Sequence, residues 1–200
     1  MLNLNFILER LSARRPIFHS EADLQYELAR EFHLLDAEAE IRLERPVGNM
    51  RVDMMVRDRQ SYCALELKYK TARSIVNHRN EQFDLAAQGA QDIGRYDYVK
   101  DISPLEGLVA TGVVWDGWAI LITNDRSYWL PDGHGAQDEA FRVHEGRVLE
   151  GHLAWLANAA PGAILGHEAP LRLVNTYQVS WRDYSEIGNN VFRYLAIHVA

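Results

Sequence analysis

The sequence predicts an α/β fold, a mixed central β-sheet flanked by helices, on three observations. Residues 51–56 and 62–69 are neighbouring runs of strand length with strand-like patterning. The segments before and after them place apolar residues three and four apart, as a helix with one buried face requires. Residues 118–122 form a short apolar run typical of a strand buried on both sides. With 48% of its 200 residues hydrophobic and 10% aromatic, the chain is expected to form one domain around a substantial core.

The elements follow in order. Residues 1–13 read as a short helix with Leu4, Leu8 and Leu11 at helical spacing, ended by Pro16. Ser20 is a good N-cap for a second helix over 21–35, and Glu21 and Asp23 fall in its first turn, where the helix dipole favours acids. Leu24, Leu28, Phe32 and Leu35 form its buried stripe. Glu21, Gln25, Leu28 and Phe32 share a three-to-four-residue rhythm, which sets Glu21 at the edge of that stripe. Residues 39–43 alternate as a strand ending before Pro46. Turns at Gly48-Asn49 and Asp58-Arg59-Gln60 lead into the next two strands, so the three form an antiparallel meander.

Residues 71–80 are polar and loop-like. Residues 81–100 read as one long helix packed through Phe83, Ala86, Ala87, Ala90, Ile93 and Tyr96. Residues 127–129, before Pro131-Asp132-Gly133, are a candidate pairing partner for 118–122. Residues 133–146 are loop-rich, and 152–159 read as a short helix. Residues 176–181 and 191–199 are closing strands around a turn at Gly188-Asn189.

A net charge of −7 argues against a chain that coats nucleic acid nonspecifically. The charge is uneven, however. From Arg42 to Arg79 nine basic residues stand against four acidic ones, a balance of +5, whereas beyond residue 100 six basic residues stand against twelve acidic. A locally basic face on an acidic body suits an enzyme that binds phosphate and releases it; the plainer reading is solvated strand-edge arginines. The single cysteine excludes a disulfide framework or a Cys-rich zinc site, and no histidine pair has metal-ligand spacing. Gly133-His134-Gly135 lacks the strand and lysine of a phosphate loop, and the five tryptophans are expected to pack in the core. The opening residues are too short and polar for a secretory core, and no uncharged run is long enough to cross a bilayer. A cytoplasmic protein without a membrane partner is therefore expected.

The chemistry lies in the two central strands. Side chains alternate across a strand, so Glu66 and Lys68 project together while Cys63, Leu65 and Leu67 face the other way. Asp53 lies on the strand before. Two carboxylates and an ammonium converging there form a hard, oxygen-rich cation site beside a proton donor or charge stabiliser, which suits Mg²⁺-dependent phosphodiester hydrolysis. Structural readings compete. Glu66 and Lys68 make an ordinary strand ion pair, Glu21 serves only its helix terminus, and Gln88 and Gln91 are surface amides. Against the first, Ala64, Leu65 and Leu67 mark the strand as buried, where charges need a reason. A cation depresses the pKa of Lys68 while the carboxylates raise it, so base and fixed charge both stand.

The order of a helix carrying Glu21, Arg51-Val52-Asp53, Glu66-Leu67-Lys68 and a helix with Gln88 and Gln91 resembles the PD-(D/E)XK nuclease superfamily, over roughly residues 18–100. The resemblance implies a restriction-endonuclease-like core in which Asp53, Glu66, the Leu67 carbonyl and Glu21, directly or through water, hold Mg²⁺, with Mn²⁺ as a substitute. It implies that Lys68 orients or deprotonates the attacking water or stabilises developing charge, and that Gln88, or Gln91 a turn later, stands near the site. Val52 occupies the place of the family's proline. The implied activity is nuclease action on nucleic acid, DNA rather than RNA, by a homodimer where both strands are cut. The alternative is a noncatalytic nucleic-acid- or protein-binding module on the same scaffold.

Overall fold

The computed structural model describes residues 3–48, 50–58, 61–131 and 135–200. In chain order come α1 (Leu4–Arg14), α2 (Glu21–Leu35), β1 (Glu40–Val47), β2 (Met50–Asp58), β3 (Ser61–Lys70), β4 (Ser74–His78), β5 (Glu81–Leu85) and α3 (Gln91–Ala110). Then follow β6 (Asp116–Thr123), a 3-10 turn at Glu139–Phe141, β7 (Val148–Leu153), β8 (Leu171–Gln178), β9 (Trp181–Ile187) and β10 (Asn190–Val199). The fold is α/β, as expected: a six-stranded mixed sheet ordered β1-β2-β3-β6-β10-β9, flanked by helices and two hairpins. β1, β2 and β3 form the antiparallel meander, and α3 lies in the crossover that makes β3 and β6 parallel.

Strand alternation divides the core into two layers. Cys63, Leu65 and Leu67 pack with Leu8, Leu24 and Leu28 beneath α1 and α2, and Val76 and Phe83 of the β4–β5 hairpin join them. Ala64, Ala119, Leu121 and Leu195 face the other way, against Val99, Ile102 and Leu105 of α3 and the β7–β8 ribbon. Ser20 caps α2 by accepting from the Asp23 N–H at 3.2 Å. Glu31 is 1% exposed and ties α2 to α1 through Arg10 and Arg14, whereas Leu35, expected in the buried stripe, is 40% exposed.

α3 is held over the sheet by two polar anchors. Asp138 bonds Arg95 at 2.6 Å and Arg142 at 3.1 Å, all three nearly buried. Glu106 accepts from the Val174 and Asn175 N–H groups and, at 2.8 Å, from the Tyr177 hydroxyl, which fastens β8 to the helix. Gly94 lies against Tyr128, whose hydroxyl would be 2.2 Å from an added Cβ. Gly94→Ala is expected to destabilise the fold by about 2 kcal/mol, read from chemical denaturation, because the ring is buried and cannot retreat.

Several expectations are corrected. Residues 81–100 are not one helix: Glu81–Leu85 is β5, and α3 begins at Gln91 and runs to Ala110. The sequence Glu81-Gln-Phe-Asp-Leu85 satisfies a two-residue period equally well, with Phe83 and Leu85 inward, and pairing of Phe83 with Val76 decides for the strand. Residues 71–80 accordingly contain β4. The hairpin turns at Arg79 and Asn80, both with positive φ (49° and 66°), a two-residue turn without the glycine that would have signalled it. β1 continues through Pro46 because it is an edge strand, where a missing N–H costs no ladder bond. Residues 127–129 form a turn instead of a strand, with Tyr128 N–H on the Asp125 carbonyl at 3.2 Å. Residues 152–159 begin as the end of β7 and continue as turn, and residues 176–181 span the end of β8 and the start of β9. The expected turns at Asn49 and at Arg59-Gln60, and the loop positions Asp132, Gly133 and His134, lie outside the described residues. Among the described residues no helix is long and apolar enough to cross a membrane.

Candidate active site

The site arises where β2 and β3 part. Their paired register runs from Asp58↔Ser61 to Met54↔Leu65 and stops there. Beyond that point β3 presents backbone amides with no β2 partner, and carboxylates take them: Asp53 Oδ2 accepts from Leu67 N–H at 2.7 Å and Glu21 Oε2 from Tyr69 N–H at 2.9 Å. Two amides on one strand edge thus fix two of the expected site acids, from different elements. The N–H and C=O of a strand residue point to the same edge, so the Leu67 carbonyl opens into the same gap. The site thus lies between the second and third strands of the six, at an internal gap.

Gln25, one turn after Glu21 on α2, closes the gap from above. Its amide donates to the Asp53 carbonyl at 2.7 Å and to Glu44 Oε1 at 3.0 Å. The β1–β2 register sets Glu44 opposite Asp53, and there Glu44 takes a φ of 51°, a strained conformation for a side-chain-bearing residue. Glu21, Ala22, Gln25, Glu44, Asp53 and Leu67 line a cleft of about 290 Å³.

Glu66 and Lys68 project together from β3, on its α3-facing side. Glu66 is 6% exposed, and its Oε1 is buried without a hydrogen-bond partner among the described residues. Burial, then the charges of Asp53 and Asp101, push the Glu66 carboxyl up to about 9. Lys68 Nζ pairs with Asp101 of α3 at 2.6 Å. Burial works against the ammonium, but the charge and hydrogen bond of Asp101 outweigh it and hold Lys68 above its ordinary range. Burial also raises Asp101, to about 6, against the pull of Lys68, and it raises Glu21 despite the Tyr69 hydrogen bond.

Asp53, Leu67 and Glu21 line one cleft, and Glu66 and Lys68, on the α3-facing side, feel the charge of Asp53 from beside it. Gln88 does not join them. It is exposed on the stretch between β5 and α3, where its N–H bonds the Thr71 carbonyl at 2.9 Å, because the helix expected to carry it starts three residues later. Gln91 spends its amide on Asp125 at 3.1 Å. Sequence reasoning passed over Asp101, one residue past the expected helix end at Lys100, and Glu44. Gln25 had a signal, its place one turn beyond Glu21. Cys63 is buried away from Glu66, as expected. Trp129 and Trp181 are core residues. Part of the basic face is neutralised by Glu40, which bonds Arg57 at 2.7 Å and lies within reach of Arg42.

The donor set of carboxylates and a carbonyl is hard oxygen, as Mg²⁺ requires, and an orphaned oxygen on an overcrowded Glu66 is what a cation would satisfy. Among the described residues, no group of three or more His, Cys, Asp or Glu side chains already has metal-holding geometry. No protein-family model, curated protein or solved structure matches the chain.

Proposed function

We propose that this protein is a Mg²⁺-dependent nuclease that hydrolyses phosphodiester bonds of DNA. The observation that carries the reading is the gap between β2 and β3, where Asp53 and a crowded, incompletely bonded Glu66 meet beside the Lys68 ammonium. Asp53 and Glu66 would hold the metal, with the Leu67 carbonyl and Glu21 completing its protein ligands. Mg²⁺, or Mn²⁺ in its place, would supply charge neutralisation and a more acidic bound water. Lys68, kept protonated by Asp101, acts as a fixed positive charge facing the phosphate oxygens rather than as the base. Asp53 and Glu21 are oriented by backbone amides and Gln25 by its two acceptors, so the ligand side chains are held in place before substrate arrives. A cytoplasmic location belongs to the same reading.

The test is nicking of supercoiled plasmid and of single-stranded DNA by the wild-type chain, with Mg²⁺ or Mn²⁺ against EDTA. Metal-dependent product supports the proposal, and simultaneous cutting of both plasmid strands predicts a homodimer in solution. Among the described residues no group of three or more His, Cys, Asp or Glu is placed to hold a metal, which leaves a noncatalytic binding module as the second reading. Tight DNA binding with no cleavage under any of these conditions would establish it.

A further inference from the structure

A second polar cavity opens on the same face and at the same end of the sheet as Lys68. Its volume is about 440 Å³, within the range of small-ligand sites, and its walls include Asn124, Arg126, Trp129, Asn189, Asn190 and Arg193. Register places it relative to the candidate site. Glu66, Lys68 and Lys70 share one face of β3, Lys70 is the register partner of Thr123 on β6, and Thr123 is the partner of Arg193 on β10. Leu121 and Leu195, two residues from Thr123 and Arg193, face α3, so all three of these register partners lie on the side from which Glu66 and Lys68 project. At strand spacing, Lys68 and Arg193 are on the order of 10–15 Å apart.

The walls divide into fixed and free groups. Arg193 is held by Asp183 at 3.0 Å and lies over the Trp129 ring at 5.9 Å. Asn124 is spent on both backbone groups of Ala72, at 2.8 and 3.3 Å. Asn190 Oδ1 accepts from Ser74 at 2.6 Å, which leaves its amide donors for the cavity. Among the described residues no hydrogen bond or ion pair engages the Arg126 guanidinium or the Asn189 side chain. The cavity thus combines anchored walls with a guanidinium that is unpaired among the described residues and spare amide donors. Asp183, its one acidic wall residue, is matched by Arg193. That inventory suits a phosphodiester, an anion that only accepts hydrogen bonds.

We infer that this cavity is a subsite that seats a backbone phosphate of the DNA strand about two nucleotides from the bond lying over Lys68. The assignment rests on the nuclease reading for its occupant. Arg126 supplies the charge, Asn189 and Asn190 the orienting donors, and Lys70 lies between the two positions. Arg126 is exposed, so its removal leaves the core untouched.

Fluorescence anisotropy with a fluorescein-labelled single-stranded DNA, in Ca²⁺ to prevent cleavage, tests it on the full chain. Arg126→Ala is expected to weaken binding roughly 5–10-fold and to reduce the salt slope by about one, and Asn189→Ala by roughly 2–3-fold. Arg172→Ala, an exposed arginine of β8, serves as the charge control and leaves binding unchanged. In Mg²⁺, Arg126→Ala raises KM and leaves kcat unchanged. Wild-type affinity in Arg126→Ala, or an equal loss in Arg172→Ala, overturns the subsite while leaving the nuclease reading intact. Displacement of the oligonucleotide by inorganic phosphate in the wild type but not in Arg126→Ala would reassign the cavity to free phosphate. Weakened binding by Arg126→Ala in a protein that cuts nothing would keep the subsite and remove the nuclease. A wild type that binds no DNA removes both.

Discussion

Asp53→Ala and Lys68→Ala are each expected to lower metal-dependent cleavage by about 10²–10³-fold, the usual cost of removing one preorganised charge from a transition state. Each side chain also has a structural partner, so the single variants need companions. Asp53 accepts the Leu67 N–H, and Asp53→Asn keeps an oxygen for that bond while removing the charge. Cleavage is expected to fall as far as in Asp53→Ala, with thermal stability closer to wild type. Lys68→Ala strands Asp101 in a mostly buried position, which carries its own stability cost. The pair Lys68→Ala with Asp101→Asn restores stability and leaves cleavage low. Wild-type rates in both Asp53→Asn and Lys68→Ala would falsify the site assignment, whatever other activity the protein has.

The second large effect concerns stability in the absence of metal. The Glu66 carboxyl is raised to about 9 by burial and then by the charges of Asp53 and Asp101, against 4.5 for an unperturbed glutamate. The folded state therefore binds this proton more tightly than the unfolded state. The resulting stability is complete below pH 4.5, declines as pH rises, and is gone above about 9. Asp101, raised to about 6, declines in the same direction over a lower window. Metal-free wild type should thus lose thermal stability between pH 5 and 9 on this account. Glu66→Gln copies the protonated form and removes most of that slope. At pH 7 it is expected to be more stable than metal-free wild type by up to about 3 kcal/mol, or roughly 5–10 °C in Tm. Mg²⁺ should raise the Tm of wild type and not of Glu66→Gln. A metal-free wild type whose Tm tracks that of Glu66→Gln from pH 5 to 9 would show that Glu66 is not held in an overcrowded, proton-binding position.

The two variants act on opposite sides of one arrangement. A gap that gathers acids and leaves Glu66 incompletely bonded costs stability in the empty protein, and it is that excess negative charge which a divalent cation would relieve. Removing Asp53 is expected to lower cleavage by taking away a proposed metal ligand. Fixing Glu66 in its neutral form is expected to make the metal-free fold firmer and to lower cleavage.

The sequence by itself determined whatever depends on neighbours along the chain. The two-residue period of β2 and β3, the Ser20 cap with Glu21 and Asp23 behind it, and the common face of Glu66 and Lys68 follow from local geometry and proved legible. Where two periods fitted, it could not choose. Phe83 and Leu85 suit a helix or a strand, and only the packing of Phe83 beside Val76 under α1 and α2 selects the strand, which also moves Gln88 off any helix. The tertiary structure alone decided that β2 and β3 separate after Met54↔Leu65, so that Glu21 and Asp53 cap the freed amides of Tyr69 and Leu67. It alone brought Asp101 from the crossover helix to Lys68. The reason is physical: a local pattern sets which way a side chain points, whereas burial and the charges it meets depend on segments tens of residues away, joined only when the sheet closes.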